Sequence, residues 1–175
     1  MAISTWPFAA SKLGLTEGLY WNDPVGGPTM RGVTLTSLRN NRSALGLTAA
    51  DAITVDFLKT LSEEDARKIW KIGYWDRACC DQLPAGLDYA VFDIAINSGP
   101  ARAVELLQEA LGLHADGIFG RMTEGAAAKC NVPATIATMN KLRVKFMVKL
   151  KNWKPNSAGW ADRVATVTAD AIALA

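Results

Sequence analysis

The sequence is poor in residues that staple small folds or hold metals. It has three cysteines, two of them adjacent (Cys79, Cys80) and the third at Cys130, and one histidine, His114. Adjacent cysteines rarely bridge each other without strain, so at most one ordinary disulfide is available. No CxxC pair occurs, and a zinc site needs about four protein ligands, or three plus water. The cysteines are read as plain thiols of a reducing compartment, and neither cofactor nor metal is expected. An excess of one charge is also missing. The 19 basic and 17 acidic residues leave a net charge of +2, which excludes an obvious nucleic-acid surface. The pI near 8.5 is a mild bias that suits an anionic polymer. No run approaches the ~18 uninterrupted apolar residues of a membrane span. The first twenty or so residues lack the basic start and apolar core of a signal peptide. The chain is therefore expected to be made in the cytoplasm without stable membrane insertion.

What the sequence does contain is apolar residues, half of the 175, and abundant helix signals. That suffices for a sizeable core in one domain, or in one domain with a small appended lobe. Thr48 and Asp51 have the spacing of a capping box and predict a helix through about Leu58. Ser62 and Asp65 repeat the device ahead of Ala66–Ile72. The nearly continuous apolar run within Asp88–Asn97 predicts a helix buried on most sides. Pro100 suits a first helical turn, with Gly112 as the stop for Ala103–Leu111. Further helices are expected over Thr123–Lys129, Ala134–Leu150 and about Gly159–Ala173, with Asn152–Gly159 as a turn. Strand signals are few, the best being a short ribbon within Gly26–Leu35. The fold class is mainly α.

Candidate chemistry concentrates between Thr16 and Thr34. Glu17 is followed by Leu19, Tyr20 and Trp21, then by a loop rich in Gly and Pro that ends in hydroxyl residues. Cleaving a glycosidic bond requires a carboxylic acid still protonated near neutral pH, and apolar neighbours supply that by raising its pKa. It also requires a group across the sugar that holds water or stabilises positive charge. Asp23 or Thr29 could stand there if the loop returns beside Glu17. Taken alone, the same residues read as a cap, a turn former before Pro24, and turn or N-cap threonines. Trp21 and Trp75 could stack on sugar rings, while core packing is the ordinary fate of any Trp and the one read for Trp160. Tyr89 and Asn97 could point from the buried helix into a cleft, or serve structure by finding interior hydrogen-bond partners. The basic residues of Lys141–Lys151 read as a solvated face.

The motif Glu17-Gly18-Leu19-Tyr20, followed by Asn22-Asp23-Pro24, Gly26-Gly27, Thr29 and Gly32-Val33-Thr34, resembles the Glu-Gly-Gly-Tyr region of glycoside hydrolase family 108. The likeness continues through Tyr74-Trp75-Asp76, Leu83-Pro84-Ala85-Gly86, Phe92-Asp93, Asn97-Ser98-Gly99-Pro100 and Gly159-Trp160 with Arg163. These pieces occur in family order over nearly the whole chain. The stretch Ala103–Gly125 is similar to a peptidoglycan-binding module, with Leu107-Gln108, Leu111-Gly112, Asp116-Gly117, Gly120 and Thr123 at its marked positions. Two departures stand out. Leu19 replaces the second Gly, and the loop after Asp23-Pro24 is short and lacks a second Asp-Pro.

The resemblance implies a lysozyme-like fold, mainly α, with a short β-ribbon or irregular loop at the active-site cleft. It implies a catalytic region over residues 1–98 and a helical wall-binding-like region over 99–175, packed as one compact unit. The implied activity is an N-acetylmuramidase cleaving the β-1,4 bond between N-acetylmuramic acid and N-acetylglucosamine. Glu17 would be the acid, and Thr29 (first choice) or Asp23 the group opposite. Tyr20, Trp21, Thr34, Trp75 and Asn97 would contact substrate. The implied setting is a phage or prophage endolysin, a monomer that reaches the wall through a holin pore, with peptidoglycan as its partner. A lytic transglycosylase also needs one Glu. A non-catalytic wall-binding protein would follow if the short loop has lost the second group.

Overall fold

The computed structural model describes residues 4–16, 19–23 and 27–175, apart from the side chains of Leu15, Thr16 and Asp23. The chain forms two compact units. One spans Trp6–Arg77; the other comprises Ala78–Ala175 joined by Ser4 and Thr5.

In the first unit, helix α1 (Trp6–Thr16) precedes an antiparallel sheet of β1 (Tyr20–Asp23), β2 (Gly27–Met30) and β3 (Val33–Thr34). Met30 pairs with Val33, so Arg31 and Gly32 form a two-residue hairpin turn. Both have positive φ, 49° and 70°, as a tight turn matching strand twist requires. Arg31 is the unusual non-glycine there, and its Nε donates to the Leu61 carbonyl at 3.3 Å. Helices α2 (Leu35–Asn40), α3 (Val55–Lys59) and α4 (Glu63–Trp70) follow. Ala9, Leu13, Met30, Val33, Leu38, Leu58, Ile69 and Trp70 are buried, each large aliphatic side chain among them stabilising the fold by about 1.5–3 kcal/mol.

The two capping boxes behave differently. Ser62 and Asp65 form the reciprocal pair expected and start α4. Thr48 and Asp51 make the same side-chain contacts, with Asp51 Oδ2 accepting from the Thr48 amide and hydroxyl, yet no helix propagates from them. The helix begins instead after Thr54, whose hydroxyl accepts from the Phe57 amide. The Ile53 carbonyl accepts from Arg39 Nε and Nη2 at 3.2 and 2.9 Å. The cap satisfied a turn, and a long-range partner took the backbone group beyond it.

In the second unit, α5 (Leu87–Ser98) is buried from Leu87 through Ala95, as a helix apolar on nearly every side requires, with Asp88 and Asp93 buried among the apolar residues. Helices α6 (Pro100–Ala110), α7 (Arg121–Ala127) and α8 (Val132–Met147) come next. Helix α9 (Trp153–Leu174) starts earlier than expected and absorbs the segment read as a turn. Pro155 falls in its first turn, where a missing N–H does no harm. The Asn156 amide bonds the Asn152 carbonyl, and Trp153 and Trp160 pack with centroids 6.0 Å apart. Gly86, at φ 82°, leads into α5 against α9. A Cβ there would lie 2.1 Å from the Ala171 carbonyl oxygen.

Candidate active site

The sheet of the first unit collects most of the residues the sequence singles out. Trp21 pairs with Thr29, and Thr29 pairs with Thr34. Directly paired residues project from the same face, so Trp21, Thr29 and Thr34 form one row across three strands. Asp23, two positions further along β1 than Trp21, pairs with Gly27. The alternate row, Tyr20, Met30 and Val33, has its last two members in the core. Glu17 lies outside the described residues, in the sequence between the end of α1 at Thr16 and the start of β1 at Tyr20.

Trp21 is 65% exposed, so its ring is available to a ligand. Tyr20 is less so, with the Lys59 ammonium 5.0 Å from its ring centroid, which anchors β1 to α3 by cation–π attraction. The Thr29 hydroxyl donates to the Gly27 carbonyl at 3.1 Å. With its proton committed, the Thr29 oxygen is left as an acceptor. The Thr34 hydroxyl accepts from the Ser37 amide at 3.0 Å and caps α2. Its first duty is structural.

Trp75 does not fit a sugar-stacking role. It is fully buried and meets Trp6 edge-on, with centroids 5.3 Å apart. It ends a short π-helical segment, Lys71–Trp75, and the Lys71 ammonium lies near both indole rings while pairing with Asp76. Next to it, the Tyr74 hydroxyl hydrogen-bonds Ser37 Oγ at 2.8 Å. Ser37 thus links the capped start of α2 to the π-helical segment. Sequence reasoning flagged Tyr74 only as part of a motif and did not find Ser37 or Arg31.

Asn97 belongs to the second unit. It is exposed near the end of α5, where its amide bonds the Asp93 carbonyl. One turn below it, buried Asp93 receives Arg163 Nε on Oδ1 at 2.8 Å and has Arg143 Nη1 2.7 Å from Oδ2. Asp93 and the distant Arg163, separate pieces of the sequence resemblance, thus meet in space. Tyr89, buried on the same helix, has its hydroxyl pushed up by desolvation first, then by Asp93 and Asp170, so it stays a neutral phenol.

The module-like stretch centres on Gln108, which is buried. Its amide nitrogen contacts Asp116 Oδ1, the Ile118 carbonyl and Thr123 Oγ1, and its oxygen accepts from the Asp116 and Gly117 amides. One side chain therefore holds the whole turn. The Ile118 amide, then Gln108, keep the Asp116 carboxyl below its ordinary range. Ile118 and Met122 flank this turn as large exposed apolar side chains. Among the described residues, no group of three or more His, Cys, Asp or Glu side chains is placed to hold a metal ion. No described helix is long and apolar enough to cross a membrane.

Comparison with known proteins agrees with this arrangement. No curated protein matches the chain. A solved structure titled "Structure of Brucella abortus SagA" is 32% identical, covers 97% of this chain and 95% of its own, and superposes with a TM-score of 0.86. That likeness bears out the lysozyme-like, mainly α architecture. The family described as Glycosyl hydrolase 108 matches residues 11–99, a span that takes in the sheet, the π-helical segment and α5. The chain belongs to glycosyl hydrolase family 108 and is a glycoside hydrolase of the peptidoglycan-degrading kind.

Proposed function

We propose that the chain is an N-acetylmuramidase that hydrolyses the β-1,4 bond between N-acetylmuramic acid and N-acetylglucosamine. The observation that carries this reading is the row Trp21–Thr29–Thr34, built on strands that begin three residues after Glu17. Glu17 protonates the leaving oxygen as general acid. Thr29, its hydroxyl proton already given to Gly27, accepts a hydrogen bond from water and holds it for attack on the anomeric carbon. Asp23, two positions along the same strand from Trp21, is the alternative water holder. Trp21 offers its exposed ring to the apolar face of a sugar. No step requires a metal, since a positioned acid and a positioned water suffice for glycosyl transfer to water. The Gln108-centred turn, with Ile118 and Met122 exposed beside it, is the part read as the wall-docking element.

The test is a digest of purified peptidoglycan by wild-type protein and by Glu17→Gln, with products reduced and identified by mass spectrometry. Muramic-acid reducing ends made by wild type and absent with the variant are expected. Anhydro ends would replace the reading by a lytic transglycosylase. Intact glycan with protein still sedimenting on the wall would replace it by a binding protein.

A further inference from the structure

Charge is unevenly spread along the second unit. Between Glu124 and Asp162 the chain holds seven of its 19 basic residues and none of its 17 acidic ones, so the rest of the chain is net negative. Five of the seven, Lys141, Lys145, Lys149, Lys151 and Lys154, follow one another along the end of α8 and the start of α9, and all five are exposed. Among the described residues, no carboxylate lies within ion-pair distance of any of them. Helix dipoles account for part of this pattern. Lys145 and Lys149 suit the C-terminal end of α8, where a cation is favoured, but Lys154 stands in the first turn of α9, where a cation is disfavoured. The helix gains nothing from a lysine there.

Apolar surface lies beside these lysines. Lys141 and Lys145, four positions apart on one face of α8, line an open groove of about 510 Å³ between α8 and α9, together with Ala137, Val144 and Val164. The neutral polar side chains of the groove are turned on each other. The Asn140 amide donates to Thr168 Oγ1 at 2.7 Å, and that hydroxyl donates to the Val164 carbonyl at 2.6 Å. Among the described residues, no acidic side chain lines the groove. Val148, just beyond Lys145, is 46% exposed.

We propose that this face docks on the surface of a bilayer rich in anionic phospholipid. The ammonium groups meet lipid phosphates while the lysine stems lie along apolar surface. The groove and Val148 sit at the boundary between headgroups and acyl chains. A wall polyphosphate would satisfy the charges and leave the apolar groove in water. A second copy related by a two-fold axis would set lysines against lysines. The proposal is independent of the roles assigned to Glu17 and Thr29, and its test uses no glycan.

The experiment sediments the full chain with sucrose-loaded vesicles, either phosphatidylglycerol mixed with phosphatidylcholine or phosphatidylcholine alone. Binding to the anionic vesicles and not to the neutral ones is expected. Lys141→Gln combined with Lys145→Gln is expected to weaken that binding by about fivefold per lysine removed. Arg67→Gln combined with Lys68→Gln lowers the net charge equally on α4 of the other unit and is expected to leave it unchanged. Val148→Ser is expected to weaken vesicle binding several-fold, with binding of soluble poly(glycerol phosphate) unaltered. Thermal melts check that the variants fold. No sedimentation with anionic vesicles, an equal loss in the α4 variant, or undiminished binding by the folded α8 lysine variant would overturn the proposal. Vesicle binding untouched by Val148→Ser would overturn it in favour of a polyphosphate. A dimer in light scattering that Val148→Ser dissociates would overturn it in favour of a second copy.

Discussion

Asp93 and Arg163 stand seventy positions apart in sequence and meet at 2.8 Å through Arg163 Nε and Asp93 Oδ1. With Arg143 on the other oxygen, one carboxylate of α5 holds both α8 and α9. Removing one partner of a buried pair leaves the other charged and unsolvated, at about 3–5 kcal/mol. Asp93→Ala is therefore expected to lose stability of that order in urea titration, more than Arg163→Ala, whose guanidinium is partly exposed. A loss under about 1 kcal/mol for Asp93→Ala would show that the cluster contributes little net stability.

Two glycines with similar φ are expected to respond unequally to alanine. Gly86 (φ 82°) would drive a Cβ to 2.1 Å from the Ala171 carbonyl, whereas Gly99 (φ 87°) has open space. Gly99→Ala bears only backbone strain, about 1–3 kcal/mol. Gly86→Ala adds a clash with backbone of α9 and is expected to show the larger drop in melting temperature. Equal melting temperatures would contradict the close approach of α9.

Asp88 gives a pH signature. Burial raises its carboxyl above the ordinary 3.8, outweighing bonds from Thr5, Tyr89 and Gly86. Between 3.8 and the raised value the folded chain holds the proton more tightly than the unfolded one. The contribution of this group to stability therefore rises as pH falls through that window and is lost as pH climbs above it. Denaturation of wild type and Asp88→Asn over mildly acidic pH is expected to show wild type gaining relative to the variant on acidification. The opposite trend would mean the hydrogen bonds, not desolvation, dominate.

Trp21 and Thr29 separate binding from catalysis. Trp21→Ala removes an exposed ring and is expected to raise KM several-fold with the melting temperature unchanged. Thr29→Ser keeps the oxygen and is expected to retain most turnover, while Thr29→Val, similar in shape but without an acceptor, loses about 10²-fold or more in kcat. Full activity in Thr29→Val would pass the water-holding role to Asp23.

For the module-like turn, hydrogen exchange supplies the readout. Gln108→Leu keeps volume but leaves the Asp116 and Gly117 amides without their acceptor. Those two amides and that of Ile118 are expected to exchange faster, with α8 unaffected. Unchanged protection would mean that the turn is fixed by its own residues.

Local physics made much of this fold readable. The Ser62 box, the nearly continuous apolar run of α5 and Pro100 at a first turn each carry their cause within a few residues. Thr48 and Asp51 show the boundary, since the decision between helix and turn lay with Arg39 and its bonds to Ile53. The Asn152–Gly159 segment was misleading for a similar reason, because its helix is steadied by Trp153 packing on Trp160. Within the site, Trp21 and Thr29 stood out in the sequence. The burial of Trp75 and the convergence of Arg143 and Arg163 on Asp93 depend on contacts that no spacing rule encodes.

Thr5 bonds Asp88 through its backbone, yet everything from Trp6 to Arg77 lies between them in the chain. On a ribosome, Ser4 and Thr5 emerge ahead of Trp6–Arg77 and must wait for α5 to be made. Trp6–Arg77 is synthesised whole during that wait and can settle on its own contacts first. A segment made before Trp6–Arg77 is thus fastened after it, and the pace of synthesis through α5 sets the length of that delay.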